Sequence, residues 1–309
     1  MKKTHRLNHL LSVSDLTDQQ IHKLIMDAHE FKTEKNFFTQ TLKNKNLALL
    51  FEKPSLRTRA SFEVGIKQLG GNCVYFNKDD IGIGEREPIP DISNVISRWF
   101  DGIIARVFSH ETLRQLQKSS LVPVINALSD LEHPCQALSD MLTIHEKLGQ
   151  VAKTRIVFIG DGNNVAASLA LSAAALGANF VLCSPENYKI SESIWKKAVN
   201  KSKGNDCKIE WCDNPKKAVA TADVIYTDVW ISMGNESESR QRIDDFQGYQ
   251  VTPELLSLAK STAIFMHDMP AHEGEEISTG LLNHSQSVVF DQAENRLHMQ
   301  KAILSSLLE

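Results

Sequence analysis

The apolar positions of this chain fall into two sets of short continuous runs, separated by longer segments with helical spacing. The first set predicts β-strands at 46–52, 72–76, 102–107 and 122–126. The second set predicts strands at 155–159, 180–183, 208–211, 224–227 and 263–267. Buried strands that alternate with amphipathic helices indicate parallel sheets covered on both faces. The pattern therefore predicts an α/β protein with two doubly wound parallel-sheet domains.

The length of 309 residues also fits two domains. We expect the first domain to occupy 1–149 and to end in a linking helix at about 134–149. The second domain is expected at 150–290. The last segment, 291–309, has apolar residues at helical spacing and no following strand, so it predicts a C-terminal helix.

Composition and charge narrow the possible partners. The formal net charge is −4, which gives no indication of nucleic acid or of an anionic membrane surface. The first 16 residues lack the continuous apolar core of a signal peptide. The apolar stretch 165–182 contains polar residues, so it predicts a buried helix running into a strand rather than a membrane span. The five cysteines are scattered, as expected for reduced thiols in a cytoplasmic protein without a zinc site.

The most informative segment follows the first predicted strand. It reads Ser55-Leu56-Arg57-Thr58-Arg59 and then continues with helical spacing. Serine is a favoured N-cap, and the first-turn amides of a helix attract anions together with the helix dipole. Hydroxyl and guanidinium groups at this end therefore predict an oxyanion site.

The run Ser-x-Arg-Thr-Arg at 55–59 resembles the carbamoyl-phosphate signature of the aspartate and ornithine carbamoyltransferases. A lone copy of this motif would be modest support, but other segments match in the same order along nearly the whole chain. These segments are Arg106, His133-Pro134-Cys135-Gln136, Asp228-Val229-Trp230, Ser232-Met233-Gly234, 267–272 and 295–298.

The resemblance implies transfer of a carbamoyl group from carbamoyl phosphate to the δ-amine of L-ornithine, without a metal or organic cofactor. It also implies a homotrimer or a higher multiple of trimers, and a C-terminal helix that packs on the first domain. Carbamoyl phosphate is expected to contact Ser55, the amide of Leu56, Arg57, Thr58, Arg106, His133, Gln136, Met269 and Arg296. Ornithine is expected to contact Asn164, Asp228, Ser232 and Met233. The chemistry itself is expected to depend on Arg57, Arg106, His133, Asp228 and Asp268.

Several positions depart from the ornithine pattern. Leu56 replaces the usual threonine, and Asn94 replaces a usual arginine. Gly82 stands where a neighbouring subunit commonly offers a polar side chain. The most consequential departure is Asp268, where the ornithine enzymes have cysteine. Two carboxylates, Asp228 and Asp268, could then flank the amine, and Asp268 would either favour its ammonium form or accept its proton.

Alternative functions remain open on the sequence. The acceptor could be putrescine or an N-acylornithine, or the chain could be a catalytically weak paralogue that binds carbamoyl phosphate. The turn Gly160-Asp161-Gly162 resembles part of a dinucleotide fingerprint and suggests a nicotinamide dehydrogenase. Because Val165 stands in place of the third glycine, this partial match is weak.

Overall fold

A computed structural model describes residues 7–34, 40–83, 86–232, 234 and 236–309. The chain forms two compact units, one of Met1–Leu142 with Asn295–Glu309 and one of Thr143–Glu294. These limits differ by a few residues from the predicted ones at 149 and 290. Both junctions fall inside continuous helices, Pro134–Leu148 and Val289–Leu308, where no break in the apolar pattern marks a boundary.

The first unit contains a four-stranded parallel sheet with the order β2-β1-β3-β4. Its strands are β1 Asn46–Phe51, β2 Asn72–Phe76, β3 Gly102–Arg106 and β4 Val124–Leu128. The helices up to the junction are α1 Asp18–Thr33, α2 Leu56–Gln68, α3 Lys78–Ile81, α4 Ile89–Trp99, α5 His110–Ser119 and α6 Pro134–Leu148.

The second unit contains a five-stranded parallel sheet with the order β7-β6-β5-β8-β9. Its strands are β5 Arg155–Ile159, β6 Asn179–Cys183, β7 Ile209–Cys212, β8 Val224–Thr227 and β9 Ile264–His267. The remaining helices are α7 Asn164–Leu176, α8 Glu192–Gly204, α9 Pro215–Val219, α10 Ser239–Asp245, α11 Pro253–Leu256 and α12 Val289–Leu308. All nine predicted strands and the C-terminal helix are confirmed, with small shifts at their ends.

The C-terminal helix α12 returns to the first unit from Asn295 onward. It packs closely on α2, since a Cβ atom added at Gly65 would lie 3.5 Å from Leu297 Cδ1. Its last turn reaches the sheet, where a Cβ at Gly102 would lie 3.4 Å from Leu308 Cδ2. This packing confirms the predicted return of the last helix.

Each sheet reverses its strand order at one point, and ligands of open α/β sheets bind beyond the strand ends at such points. In the first unit the reversal lies between β1 and β3, and in the second between β5 and β8. The segments that follow these strands begin at Glu52, Val107, Gly160 and Asp228. A ligand is therefore expected beside these segments, which contain residues of the predicted site.

The apolar stretch 165–182 forms most of helix α7 and strand β6, as predicted. Within the described part of the chain, no helix has the length and apolar character needed to cross a membrane.

Candidate active site

The anion cradle of the first unit is built on the start of α2. Ser55 has an extended backbone, with φ −157° and ψ 113°, and its side-chain oxygen accepts a hydrogen bond from the Thr58 amide at 3.3 Å. The predicted N-cap is therefore confirmed. The first-turn amides and the positive end of a 13-residue helix lie at the carboxyl end of β1, which suits an anion.

The two arginines of the motif point to different surroundings. Arg59 pairs with Glu63 at 2.7 Å and stacks over the Tyr75 ring, 3.8 Å from its centroid. Arg57 is half-buried and makes no ion pair or side-chain hydrogen bond within the described residues. Arg57 is thus the motif arginine available to a ligand. Leu56, the first helical residue, is 80% exposed.

Arg106 is the last residue of β3 and is buried. Its carbonyl accepts a hydrogen bond from the Glu52 amide at 2.9 Å, so the cradle loop starts directly beside it. A second buried arginine, Arg296, comes from α12 and donates from Nη2 to Thr58 Oγ1 at 2.9 Å. The first unit therefore holds two buried cationic side chains from other elements, and that of Arg296 reaches the start of α2.

His133 lies directly before α6 and is buried. Burial, together with the positive charges of Arg296 and Arg106, holds its pKa well below the usual 6.5. The imidazole is therefore neutral at neutral pH, and both guanidinium groups lie close enough to affect it. Gln136, one turn further, donates from Nε2 to Asp140 at 2.9 Å. Its buried Oε1 has no hydrogen-bond partner among the described residues.

The second unit holds the residues expected to bind ornithine. Asp228 follows β8 and is buried. Its Oδ1 accepts from the Val229 amide at 2.7 Å, and its Oδ2 accepts from Asn163 Nδ2 at 2.7 Å. The same Asn163 amide donates to Ser232 Oγ at 3.3 Å. Asn163 therefore links Asp228 to Ser232, although the sequence analysis named its neighbour Asn164 instead.

Asn164 is the first residue of α7 and lies at the helix end that also carries Asn163. Met233, the other expected ornithine contact, lies outside the described residues. Asn163 could have been found from sequence, because asparagine directly after Gly162 and before an apolar run is a typical N-cap.

Asp268 lies close to Asp228, as the sequence suggested. One ligand atom each of Asp228, His267 and Asp268 lies within 4.8 Å of the other two. The buried His267 has Nε2 at 3.0 Å from Glu276 Oε1, while its Nδ1 accepts the Met269 amide at 2.9 Å. Because the Nδ1 lone pair is used in this way, the trio offers two carboxylates rather than a metal-ligating set.

Met269 was expected to contact carbamoyl phosphate. Its side chain is partly buried and packs against the apolar core cluster of the second unit. Any contact with a polar ligand is therefore left to its backbone.

One buried ion pair, between Arg242 and Asp161, was not predicted from the sequence. Arg242 of α10 donates from Nη1 to Asp161 Oδ2 at 2.8 Å and to the Trp230 carbonyl at 3.2 Å. It links the turn after β5 to the segment after β8. No local pattern distinguishes Arg242 from the neighbouring exposed Arg240.

Gly162, in the turn after β5, has a packing role. The Gly162 amide donates to the Tyr188 carbonyl at 2.8 Å, and a Cβ atom at Gly162 would lie 2.2 Å from the Ile190 nitrogen. Gly162 therefore admits the backbone of 188–190. This close contact gives a packing reason for one of the two glycines in the partial dinucleotide fingerprint.

The other departures lie in the first unit. Gly82 ends α3 in the left-handed conformation, with φ 54°, and a Cβ there would lie 2.6 Å from Arg86. Asn94 is exposed on α4.

Comparisons with known proteins agree with this organisation. The family model of the aspartate/ornithine carbamoyltransferase carbamoyl-P binding domain matches residues 8–146. The model of the Asp/Orn binding domain of the same family matches residues 152–307.

The chain is also similar to individual proteins over almost its full length. It is 46% identical over 304 residues to an ornithine carbamoyltransferase of Archaeoglobus fulgidus, covering 98% of both chains. The solved structure of ornithine carbamoyltransferase from Pyrococcus furiosus has a TM-score of 0.95 and 44% identity, with 98% of this chain and 97% of that chain covered. The structure from Thermus thermophilus has a TM-score of 0.88 and 42% identity, with 97% of this chain and 99% of that chain covered. This chain therefore belongs to the aspartate/ornithine carbamoyltransferase family.

Proposed function

We propose that this protein transfers the carbamoyl group of carbamoyl phosphate to the δ-amine of L-ornithine, giving L-citrulline and phosphate. The observation that carries the proposal is the buried cluster of the first unit. There Arg106 and Arg296 surround a neutral His133 beside the capped start of α2. The ornithine carbamoyltransferases that this chain resembles support the choice of acceptor.

In the proposed reaction the neutral amine attacks the carbonyl carbon. A C–N bond forms, the C–O bond to phosphate breaks, and the nitrogen loses one proton. Negative charge develops first on the carbonyl oxygen and then on the departing phosphate. Fixed cations and hydrogen-bond donors stabilise this charge without reorganisation, which is usually the largest contribution to catalysis. These steps need no metal or organic cofactor.

The phosphate is assigned to Ser55, the Leu56 amide, Arg57, Thr58 and Arg296. This assignment follows from the N-terminal amides of α2 and from the hydrogen bond that joins Arg296 to Thr58. Charge-assisted hydrogen bonds to a phosphate are roughly twice as strong as neutral ones.

The carbamoyl end is assigned to Arg106, His133, Gln136 and the backbone of Met269. A neutral imidazole can polarise the carbonyl by donating a hydrogen bond, without adding a positive charge beside the two arginines. The Gln136 oxygen can accept a hydrogen bond from the carbamoyl nitrogen.

The amino-acid substrate is assigned to Asn164, Asp228, Ser232 and Met233. Asp228 is held in one orientation by donors to both of its oxygens, so it can orient an amine. We assign to Asp268 the uptake of the proton that the amine releases, since its carboxylate lies within 4.8 Å of that of Asp228.

We also propose that three copies of this chain form a homotrimer and that the protein is located in the cytoplasm. Light scattering would then give about three times the 34.6 kDa of one chain.

Steady-state citrulline assays with carbamoyl phosphate and a panel of amines test the function. L-Ornithine should be the preferred acceptor over putrescine and N-acetylornithine. The Arg106→Met variant should lose roughly 100- to 1000-fold in kcat. The exposed Arg114→Met variant is the matched control and should retain activity. Citrulline formation no faster than the uncatalysed background would refute the proposal, and tight carbamoyl-phosphate binding without turnover would identify a binding paralogue.

The Asp268→Asn variant separates the two roles open to this carboxylate. Uptake of a proton predicts a lower kcat with little change in the KM for ornithine. A higher KM with an unchanged kcat would instead show that Asp268 only binds the ammonium form.

A further inference from the structure

Asn163 uses the two ends of its side-chain amide for different partners. Its Oδ1 accepts hydrogen bonds from the amides of Val165 at 3.0 Å and Ala166 at 3.1 Å, so it caps α7. Because backbone amides can only donate, the oxygen must face the helix. The orientation of the amide is therefore determined, and its NH2 group faces away from α7.

The NH2 group meets two residues of the segment that follows β8. It donates to Asp228 Oδ2 at 2.7 Å and to Ser232 Oγ at 3.3 Å. This meeting follows from the sheet, because β5 and β8 are neighbours and Ile159 is in register with Thr227. The Thr227 hydroxyl also donates to the Ile159 carbonyl at 2.6 Å, which holds the two strand ends together.

We propose that Asn163 is a positioning residue that sets Asp228 and Ser232 for the amino-acid substrate. This inference rests on the proposed function, in which Asp228 and Ser232 contact ornithine and Asn163 does not. The Val229 amide is tied to Asp228 by the chain itself, so Asn163 supplies the donor that comes from another element. Losing that donor lets the carboxylate turn about its side-chain bonds.

Asparagine suits this position because it is a cap acceptor and a donor at once. Serine caps helices about as well but lacks the NH2 group. Aspartate also caps, yet it would place a second carboxylate against Asp228. These two substitutions therefore remove or reverse the contact with Asp228 while keeping the helix start.

The test is steady-state kinetics of Asn163→Ser and Asn163→Asp in the full-length protein, with both substrates varied. A hydrogen bond to a charged group corresponds to roughly a 10- to 100-fold change. We expect kcat/KM for L-ornithine to fall by that factor in Asn163→Ser and by at least as much in Asn163→Asp. The KM for carbamoyl phosphate should stay within about twofold of wild type, since a loss confined to one substrate is the signature of positioning.

Asn214→Ser is the matched control. Asn214 caps α9 in the same unit by accepting from the Lys217 amide at 3.1 Å, and the hydrogen bonds to the Asp228 carboxylate come from Asn163 and Val229 instead. This variant should leave the kinetic constants for both substrates unchanged. Its thermal midpoint should fall less than that of Asn163→Ser, because Asn163→Ser exchanges one capping residue for another and also removes a hydrogen bond to the buried Asp228.

The outcomes separate this inference from the proposed function. Wild-type protein that forms no citrulline would overturn both. An active wild type whose Asn163→Ser variant keeps kcat/KM for L-ornithine within twofold would overturn the inference alone. An equal loss towards both substrates would show that Asn163 acts only as a structural cap and would also overturn it.

Discussion

Replacing Arg242 by methionine should strongly destabilise the second unit. The Arg242 side chain is 9% exposed and that of Asp161 is 12%, and their charged atoms lie 2.8 Å apart. Methionine retains much of the apolar stem but leaves the Asp161 carboxylate buried without its cation. Removing one partner of a buried pair typically costs about 3–5 kcal/mol. The second ion pair of Arg242, with the exposed Glu238, adds at most about 1 kcal/mol.

The free energy of unfolding lost in Arg242→Met should depend on pH. Burial raises the pKa of Asp161 even though the charge of Arg242 lowers it, so removing Arg242 should raise that pKa further. A carboxyl whose pKa is higher in the folded than in the unfolded state makes the folded state less stable as pH rises. The Arg242→Met penalty should therefore be largest near pH 7 and should shrink as Asp161 becomes protonated at lower pH.

Urea unfolding, with hydrogen exchange to locate the change, measures this effect. The Arg240→Met variant is the control, because Arg240 is exposed on the same helix and should change stability by less than about 0.5 kcal/mol. The double variant of Arg242→Met with Asp161→Asn should lose less than the sum of the single variants. A loss below about 1 kcal/mol at pH 7, with no pH dependence, would contradict this account of the pair.

Three further predictions concern the rest of the site. Gly162→Ala should lower the free energy of unfolding by about 1–3 kcal/mol, measured by thermal unfolding. Gly204→Ala is the control and should not lower it, because an added Cβ there has no atom within 4 Å. In side-chain NMR titrations His133 should remain neutral near pH 7, and its pKa should rise when inorganic phosphate binds. Because the pKa of His133 is lower in the folded than in the unfolded state, the folded state should lose stability as pH falls below about 6.5. Thr58→Val removes the hydroxyl that accepts from Arg296, so calorimetry should show weaker carbamoyl-phosphate binding by about 1–3 kcal/mol, and unchanged binding would contradict that role.

Much of the fold could be predicted from local patterns. Strands of a parallel sheet are buried on both faces, so they are continuous apolar runs such as 102–106 and 155–159. The Ser55 cap could also be predicted, because an N-cap depends on residues only a few positions apart. The exact limits of the two units could not be predicted in this way, since each limit lies inside an unbroken helix.

The residue types of the candidate site could be predicted, but the contacts that their side chains make could not. In the first unit Arg296 contacts Thr58, whereas Arg59 of the motif turns towards Glu63 and Tyr75. In the second unit the ornithine contact of Asn164 stays a prediction, and the hydrogen bonds to Asp228 come from Val229 and Asn163. These contacts depend on the direction of a side chain, and that direction depends on what packs beside it.

Local patterns were enough to predict the α/β class, the strand and helix positions and the residue types available for an anion and an amine. These features depend on periodicity and on neighbours within one helical turn. The choice of strand ends that meet depends on the whole fold, because β5 pairs with β8 across 64 intervening residues between Ile159 and Val224. That pairing places Asn163 against Asp228 and Arg242 against Asp161. Contacts so distant in sequence depend on strand order and register, which local patterns do not specify.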